Sequence, residues 1–135
     1  MSAPDREPAP RLPSPTEAEL QILRVLWRRG PSSVREVHES IRDVKPVAYT
    51  TILKQMQVMQ RKGLLVRTER HRAHVYEPGA PRRQTQRRMA QDLLRQVFDG
   101  SARGLLQSAL AGRRVGPDEL TEIRRLLDEI ERKAE

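Results

Sequence analysis

The chain of 135 residues has no cysteine and no asparagine, and its aromatics are limited to Trp27, Tyr49, Tyr76 and Phe98. Without cysteine there is no disulfide framework, thiol nucleophile, cysteine-ligated zinc or iron–sulfur centre. So few aromatic rings leave almost nothing on which to stack unpaired bases. No run of about 18 apolar residues occurs, and the first residues lack the apolar stretch of a signal peptide. A soluble, cytoplasmic protein is therefore expected. Enzyme signatures are missing as well: there is no Gly-x-Ser-x-Gly elbow and no glycine-rich phosphate loop. His38-Glu39 opens like an H-E-x-x-H zinc helix, but Arg42 stands where the second ligand would be. His71 and His74 lie near Glu69 and Glu77 without a spacing that makes those carboxylates converge on a metal. No catalytic residue, metal or cofactor is expected.

Positive charge is present in excess. Lysine and arginine number 26 against 18 acids, a formal net charge of +8. Its distribution is uneven. From Arg42 to Arg88 twelve basic residues face three acids, Asp43, Glu69 and Glu77, a local balance of +9. From Asp118 onward seven acids outnumber four bases, a balance of −3. A basic middle joined to an acidic end implies two tasks, with polyanion binding assigned to the middle.

Residues 1–15 carry prolines at positions 4, 8, 10, 13 and 15 and read as a disordered arm. Thr16 with Glu19 forms a capping box, after which Leu20, Leu23, Leu26 and Trp27 recur at helical spacing as far as Gly30-Pro31. Ser33 with Glu36 forms a second box and opens a short helix carrying Val34, Val37 and Ile41, which ends before Pro46. A third helix is expected from Val47–Ala48 to Lys62, with Gly63 as its left-handed C-cap. Its helical wheel groups Ile52, Met56, Met59, Ala48 and Tyr49 on an apolar side, and Thr50, Lys54, Gln57 and Arg61 on a polar one, with Thr51 and Gln55 flanking. Leu64–Arg67 and Ala73–Tyr76 read as strands joined by a charged turn from Thr68 to Arg72. Pro78, Gly79 and Pro81 mark a boundary.

Beyond it, a helix over Gln84–Phe98 aligns Met89, Leu93 and Val97 beside Leu94 and Phe98. A shorter one carries Leu105, Leu106 and Leu110. A last one, after Gly116-Pro117, sets Leu120, Ile123, Leu127 and Ile130 in a seam suited to another helix. The fold class is therefore mainly α with a small β-hairpin wing. A winged helix-turn-helix domain at 16–80 is followed by a helical dimerisation region at 81–135. Such wide apolar faces in so short a chain are most easily buried in a homodimer through Leu93, Val97, Phe98, Leu105, Leu106, Leu120, Ile123, Leu127 and Ile130. The seam also has an intramolecular reading. Arg82, Arg83, Arg87 and Arg88 suit either a DNA contact or the solubilising of a linker helix.

The segments Val25-Leu-Trp-Arg-Arg-Gly-Pro-Ser-Ser-Val-Arg-Glu-Val-His, Ala48-Tyr-Thr-Thr-Ile-Leu, Arg61-Lys-Gly-Leu-Leu and Arg72-Ala-His-Val-Tyr-Glu-Pro, at these separations, resemble the penicillinase-repressor family of bacterial transcriptional regulators, the BlaI/MecI type. The likeness spans most of Leu12 to Glu131. It implies a winged-helix domain and a helical dimerisation region acting as a homodimeric repressor on palindromic double-stranded DNA operators. It also places Tyr49, Thr50, Thr51 and Lys54 on the recognition helix. The residues themselves add Gln57 and Arg61 on the same polar face, and Arg70, His71 and Arg72 on the wing. These are types that reach base edges or donate to phosphates.

Family members that answer to β-lactams are inactivated by cleavage of an asparagine–phenylalanine bond in the dimerisation region, so an inducing sensor or protease is an implied partner. This chain has no asparagine, and the corresponding stretch lies near Leu106-Gln107-Ser108-Ala109. Either another bond is cut or the signal differs. Copper-responsive relatives use cysteine pairs, which are absent here. The alternative reading of the whole chain is a winged-helix protein-interaction module whose polar helix meets an acidic protein.

Overall fold

The computed structural model describes residues 14–70 and 72–134. Its elements are α1 (Glu17–Arg29), α2 (Val34–Arg42), α3 (Tyr49–Lys62), β1 (Leu65–Arg70), β2 (Ala73–Pro78), α4 (Arg82–Phe98), α5 (Ala102–Leu110) and α6 (Pro117–Ala134). The chain divides into two compact units between Asp92 and Leu93. Most of the arm expected over residues 1–15 lies outside the described residues. Its last two members lie inside: the Ser14 hydroxyl donates to the Asp92 carboxylate and Pro15 is buried.

Both capping boxes form. Thr16 N donates to Glu19 Oε1 at 2.9 Å while Glu19 N donates to Thr16 Oγ1 at 3.2 Å, which satisfies two of the orphan donors at the start of α1. Ser33 and Glu36 repeat the arrangement on α2 at 2.9 and 3.2 Å. The hydrogen bonds from Ser33, supported by the Arg29 guanidinium, hold the Glu36 carboxyl below its usual range. Arg29, in the last turn of α1, also reaches Ser40 Oγ at 2.9 Å and so ties α1 to α2.

The core of the first unit is built from Ile22, Leu23, Val25 and Leu26 of α1, Val34, Val37 and Ile41 of α2, Ile52, Met56 and Met59 of α3, and Leu64, Leu65 and Tyr76 around the hairpin. Leu20 and Trp27 differ from expectation: they are half-buried, while Ile22 and Val25 are buried. The physical reason is that α1 has two packed sides. Leu20 and Trp27 line a groove with Arg82, Gln86 and Met89 of α4, and the Arg82 guanidinium lies 5.3 Å from the Trp27 ring centroid.

Glu19 does a second job. It is 4% exposed, and its Oε2 accepts from Lys62 Nζ at 2.8 Å, joining the start of α1 to the end of α3. Burial pushes its carboxyl up, but Lys62 and the two hydrogen bonds with Thr16 together outweigh that and leave it below the usual range.

The hairpin is longer and its turn tighter than the sequence pattern implied. Antiparallel pairing runs from Leu65 opposite Pro78 to Arg70 opposite Ala73, so the turn falls between Arg70 and Ala73, where Arg72 takes a left-handed φ of 66°. The polar residue Thr68 and the charged Glu69 and Arg70 continue the strand because an exposed ribbon needs only backbone pairing, not apolar alternation. Ser32 adds a bridge to this sheet, its N–H donating to Tyr76 O at 3.1 Å and its carbonyl accepting from Tyr76 N at 2.8 Å. The base of the wing is tight: Gly79 N donates to Leu64 O at 2.8 Å, and a Cβ on Gly79 would fall 2.1 Å from the Gly63 carbonyl oxygen. Only glycine fits there.

Helix α4 begins at Arg82, two residues before the expected Gln84, directly after Pro81. In the second unit, α5 and α6 carry no buried residue, and neither does α4 along its length. No helix among the described residues is long and apolar enough to cross a membrane.

Candidate nucleic-acid interface

Helix α3 starts one residue later than expected, and this changes two assignments. Ala48, grouped with the apolar face by the wheel, is an exposed N-cap residue with an extended backbone. Tyr49 becomes the first helical residue and is 43% exposed rather than tucked at the core edge. Ala48 makes no side-chain capping bond. The first-turn amides, with the positive end of the helix dipole, are left uncapped by any side chain. Thr51 N is satisfied locally by Ala48 O at 3.1 Å.

From that start, Ile52, Met56 and Met59 anchor α3 in the core. Thr50, Thr51, Lys54, Gln57 and Arg61 are all exposed along the opposite side, and Gln55 is half-buried beside them. Lys62, the next cation, belongs instead to the pair with the buried Glu19 carboxylate. Gly63 closes the helix at φ 86°, its N–H donating to Gln60 O at 3.1 Å.

On the wing, Arg70 ends β1 and Arg72 lies in the turn, both exposed. His71, expected between them as a contact, lies outside the described residues. His74 Nδ1 stands 3.8 Å from Glu69 Oε1 across the ribbon. Among the described residues no group of three or more histidine, aspartate or glutamate side chains is arranged to hold a metal.

Two features of this surface escaped the sequence pattern. Lys45 is an exposed cation in the segment that joins α2 to α3. His38, on α2, places Nε2 2.8 Å from Val47 O and its ring edge-on to Tyr49, with centroids 5.7 Å apart. The period of α2 gives no sign of either contact, because both cross the loop to α3.

The nine expected pairing residues are scattered over α4 to α6. Leu93, Val97, Leu106, Leu127 and Ile130 are exposed, and Phe98, Leu105, Leu120 and Ile123 are half-buried. Leu126, absent from the 3-4-3 seam, is also exposed.

A three-helix core, a two-stranded wing and an exposed polar third helix define a winged helix-turn-helix transcriptional regulator. The family model described as penicillinase repressor matches residues 15–129, and the chain belongs to the penicillinase-repressor family, one of transcriptional repressors and not of enzymes. It is 35% identical over 118 residues to the transcriptional regulator BlaI of Mycobacterium tuberculosis, covering 85% of this chain and 83% of that protein. It is 20% identical over 119 residues to the penicillinase repressor of Bacillus licheniformis, covering 88% and 93%. Among solved structures, the solution structure of the Bacillus licheniformis BlaI monomeric form in complex with the blaP half-operator matches with a TM-score of 0.49 and 24% identity, over 53% of this chain and 88% of that one. Membership of a repressor family does not favour the acidic-protein reading of the polar helix.

Proposed function

We propose that the chain represses transcription as a homodimer on palindromic operators, reading duplex DNA with α3 and bracing on the flanking backbone with the wing. The observation that carries this reading is the exposed row Thr50, Lys54, Gln57 and Arg61 running back from an α3 amino end that no side chain caps. Tyr49, Thr50, Thr51 and Lys54 sit at the end that enters the major groove. Gln57 and Arg61 follow the groove outward, and Arg70, His71 and Arg72 reach neighbouring phosphates. A dimer that neutralises about six to ten phosphates loses roughly 10³- to 10⁵-fold in affinity between about 50 and 200 mM salt. Gel-shift titrations on duplex DNA upstream of the chain's own gene test this, and an affinity indifferent to salt overturns it.

Pairing between subunits is assigned to α4–α6, because Leu127 and Ile130 are 51% and 56% exposed on a helix with no buried residue. Sedimentation at micromolar concentration checks it, and a monomer there defeats the claim. The cytoplasm is the compartment this work requires. Inactivation by an inducing sensor or protease would act on α5, where Leu106, Gln107, Ser108 and Ala109 are exposed, at a bond other than asparagine–phenylalanine.

A further inference from the structure

We infer that His38 is a positioning residue for DNA reading, holding the start of α3 and the Tyr49 ring in the geometry that meets the base pairs. This rests on the proposal that α3 enters duplex DNA.

The first two helices each begin with a reciprocal capping box, but α3 begins at Ala48 with no side-chain cap. A helix start left open in this way frays unless something outside it intervenes. His38 intervenes from α2 with two contacts. Val47 O only accepts, so the Nε2 at 2.8 Å carries the hydrogen and donates it. That bond fixes the peptide immediately before the N-cap. The imidazole also meets the Tyr49 ring edge-on at 90°, with centroids 5.7 Å apart, within the range of a favourable aromatic pair. Val47 packs partly against the core, so the segment is held from below by apolar contact and from the side by His38. Base-edge contacts need their side chains placed to within about 0.5 Å, and Tyr49 and Thr50 are the first two residues after this clamp.

If His38 merely filled space at the edge of the core, its loss would lower stability and leave sequence discrimination alone. The full-length protein and a duplex enriched from a random-sequence library on the wild type separate the two roles, with a scrambled duplex of the same length as reference. His38→Ala is expected to weaken the enriched duplex about tenfold, while the scrambled duplex, held through phosphates, changes by less than about twofold. His38→Gln, which can still donate N–H to Val47 O, recovers part of the loss. In a Tyr49→Ala background the further effect of His38→Ala shrinks.

An unchanged preference in His38→Ala overturns the inference, and so does a parallel fall of both affinities together with lost helical circular dichroism. If His38→Ala does not fold, His38→Gln and His38→Phe decide. Reduced preference in both, each having kept one contact, supports the clamp; wild-type preference in both overturns it. A wild-type protein that enriches no duplex at all instead removes the reading of α3 on which the inference stands.

Discussion

The two units of the chain put their apolar residues to different uses. In the unit ending at Asp92, thirteen hydrophobic residues from three helices and a hairpin form one buried cluster. In α5 and α6 nothing is buried, and Leu126, Leu127 and Ile130 stand more than half exposed. The charge differs in step, with the basic excess in the first unit and acids gathered on α6. A unit that closes its own core leaves its surface open to a ligand, with Lys54, Arg61, Arg70 and Arg72 exposed on it. A unit whose apolar stripe stays open suits the subunit pairing proposed above, and in such a pair the acidic face would lie away from phosphates.

The sharpest way to break this comparison is to make the same substitution on each side. Ile22→Ala, at a fully buried position, is expected to cost about 2–5 kcal/mol through lost burial and a residual cavity. Ile130→Ala, at a position 56% exposed, is expected to stay within about 0.5 kcal/mol at dilutions where the chain is monomeric, while raising the dimer dissociation constant. Urea unfolding at two protein concentrations reads both. Equal losses in the dilute monomer would mean that the second unit has a core of its own.

Next in size is the Glu19–Lys62 pair, whose carboxylate alone is buried. Glu19→Gln is expected to cost ~1–3 kcal/mol at neutral pH, since a charge-assisted bond to Lys62 and a capping contact both weaken. The folded carboxyl is held below its ordinary value of 4.5. Its stabilisation is therefore fully present above that value and is lost as pH falls through the lower folded one. Wild-type urea midpoints should fall more steeply on acidification than those of Glu19→Gln. Glu36, shifted in the same direction by Ser33, leaves the variant some residual slope. Identical slopes would show that Glu19 titrates alike in the folded and unfolded chain.

Smaller in free energy, but specific to the binding side, is Lys54→Ala. A homodimer would lose two cations from the interface, so the salt slope of log affinity should become shallower by about 2 with an unchanged melting temperature. Ile130→Ala should leave the contacts of each subunit intact and weaken binding only at concentrations where the dimer dissociates. If Lys54→Ala leaves the slope unchanged, Lys54 touches no phosphate.

What was legible in the sequence was what lies within a few residues. The capping boxes at Thr16–Glu19 and Ser33–Glu36 could be read because both partners occupy one turn, and the polar row of α3 because a helix repeats its face every three or four residues. The family motifs added register to that reading. Contacts that span loops were not legible. The Glu19–Lys62 pair joins residues 43 apart, His38 meets Tyr49 across the α2–α3 connection, and Ser32 pairs with Tyr76 in the wing. Nor could periodicity show that α1 packs on two sides, since Leu20 and Trp27 are as apolar as Leu23 and Leu26. The wing was underestimated for a related reason: backbone pairing carries charged residues as well as apolar ones.

The smallest expected effect concerns the tip of that wing. Arg72 occupies a left-handed conformation with φ 66°, which a side chain makes costly by about 1 kcal/mol or more. Glycine would adopt it without that strain but would lose more backbone freedom on folding, about 0.4–1 kcal/mol. The two terms nearly cancel, so Arg72→Gly should shift stability by less than about 0.5 kcal/mol in either direction. If Arg72 contacts phosphate, as proposed, its removal makes the salt slope shallower by about the same amount as Lys54→Ala without altering which duplex is preferred. An arginine kept at a strained position for binding would show a salt effect with almost no stability effect. A clear gain in stability with no change in salt slope would mean that Arg72 serves neither the wing nor the DNA.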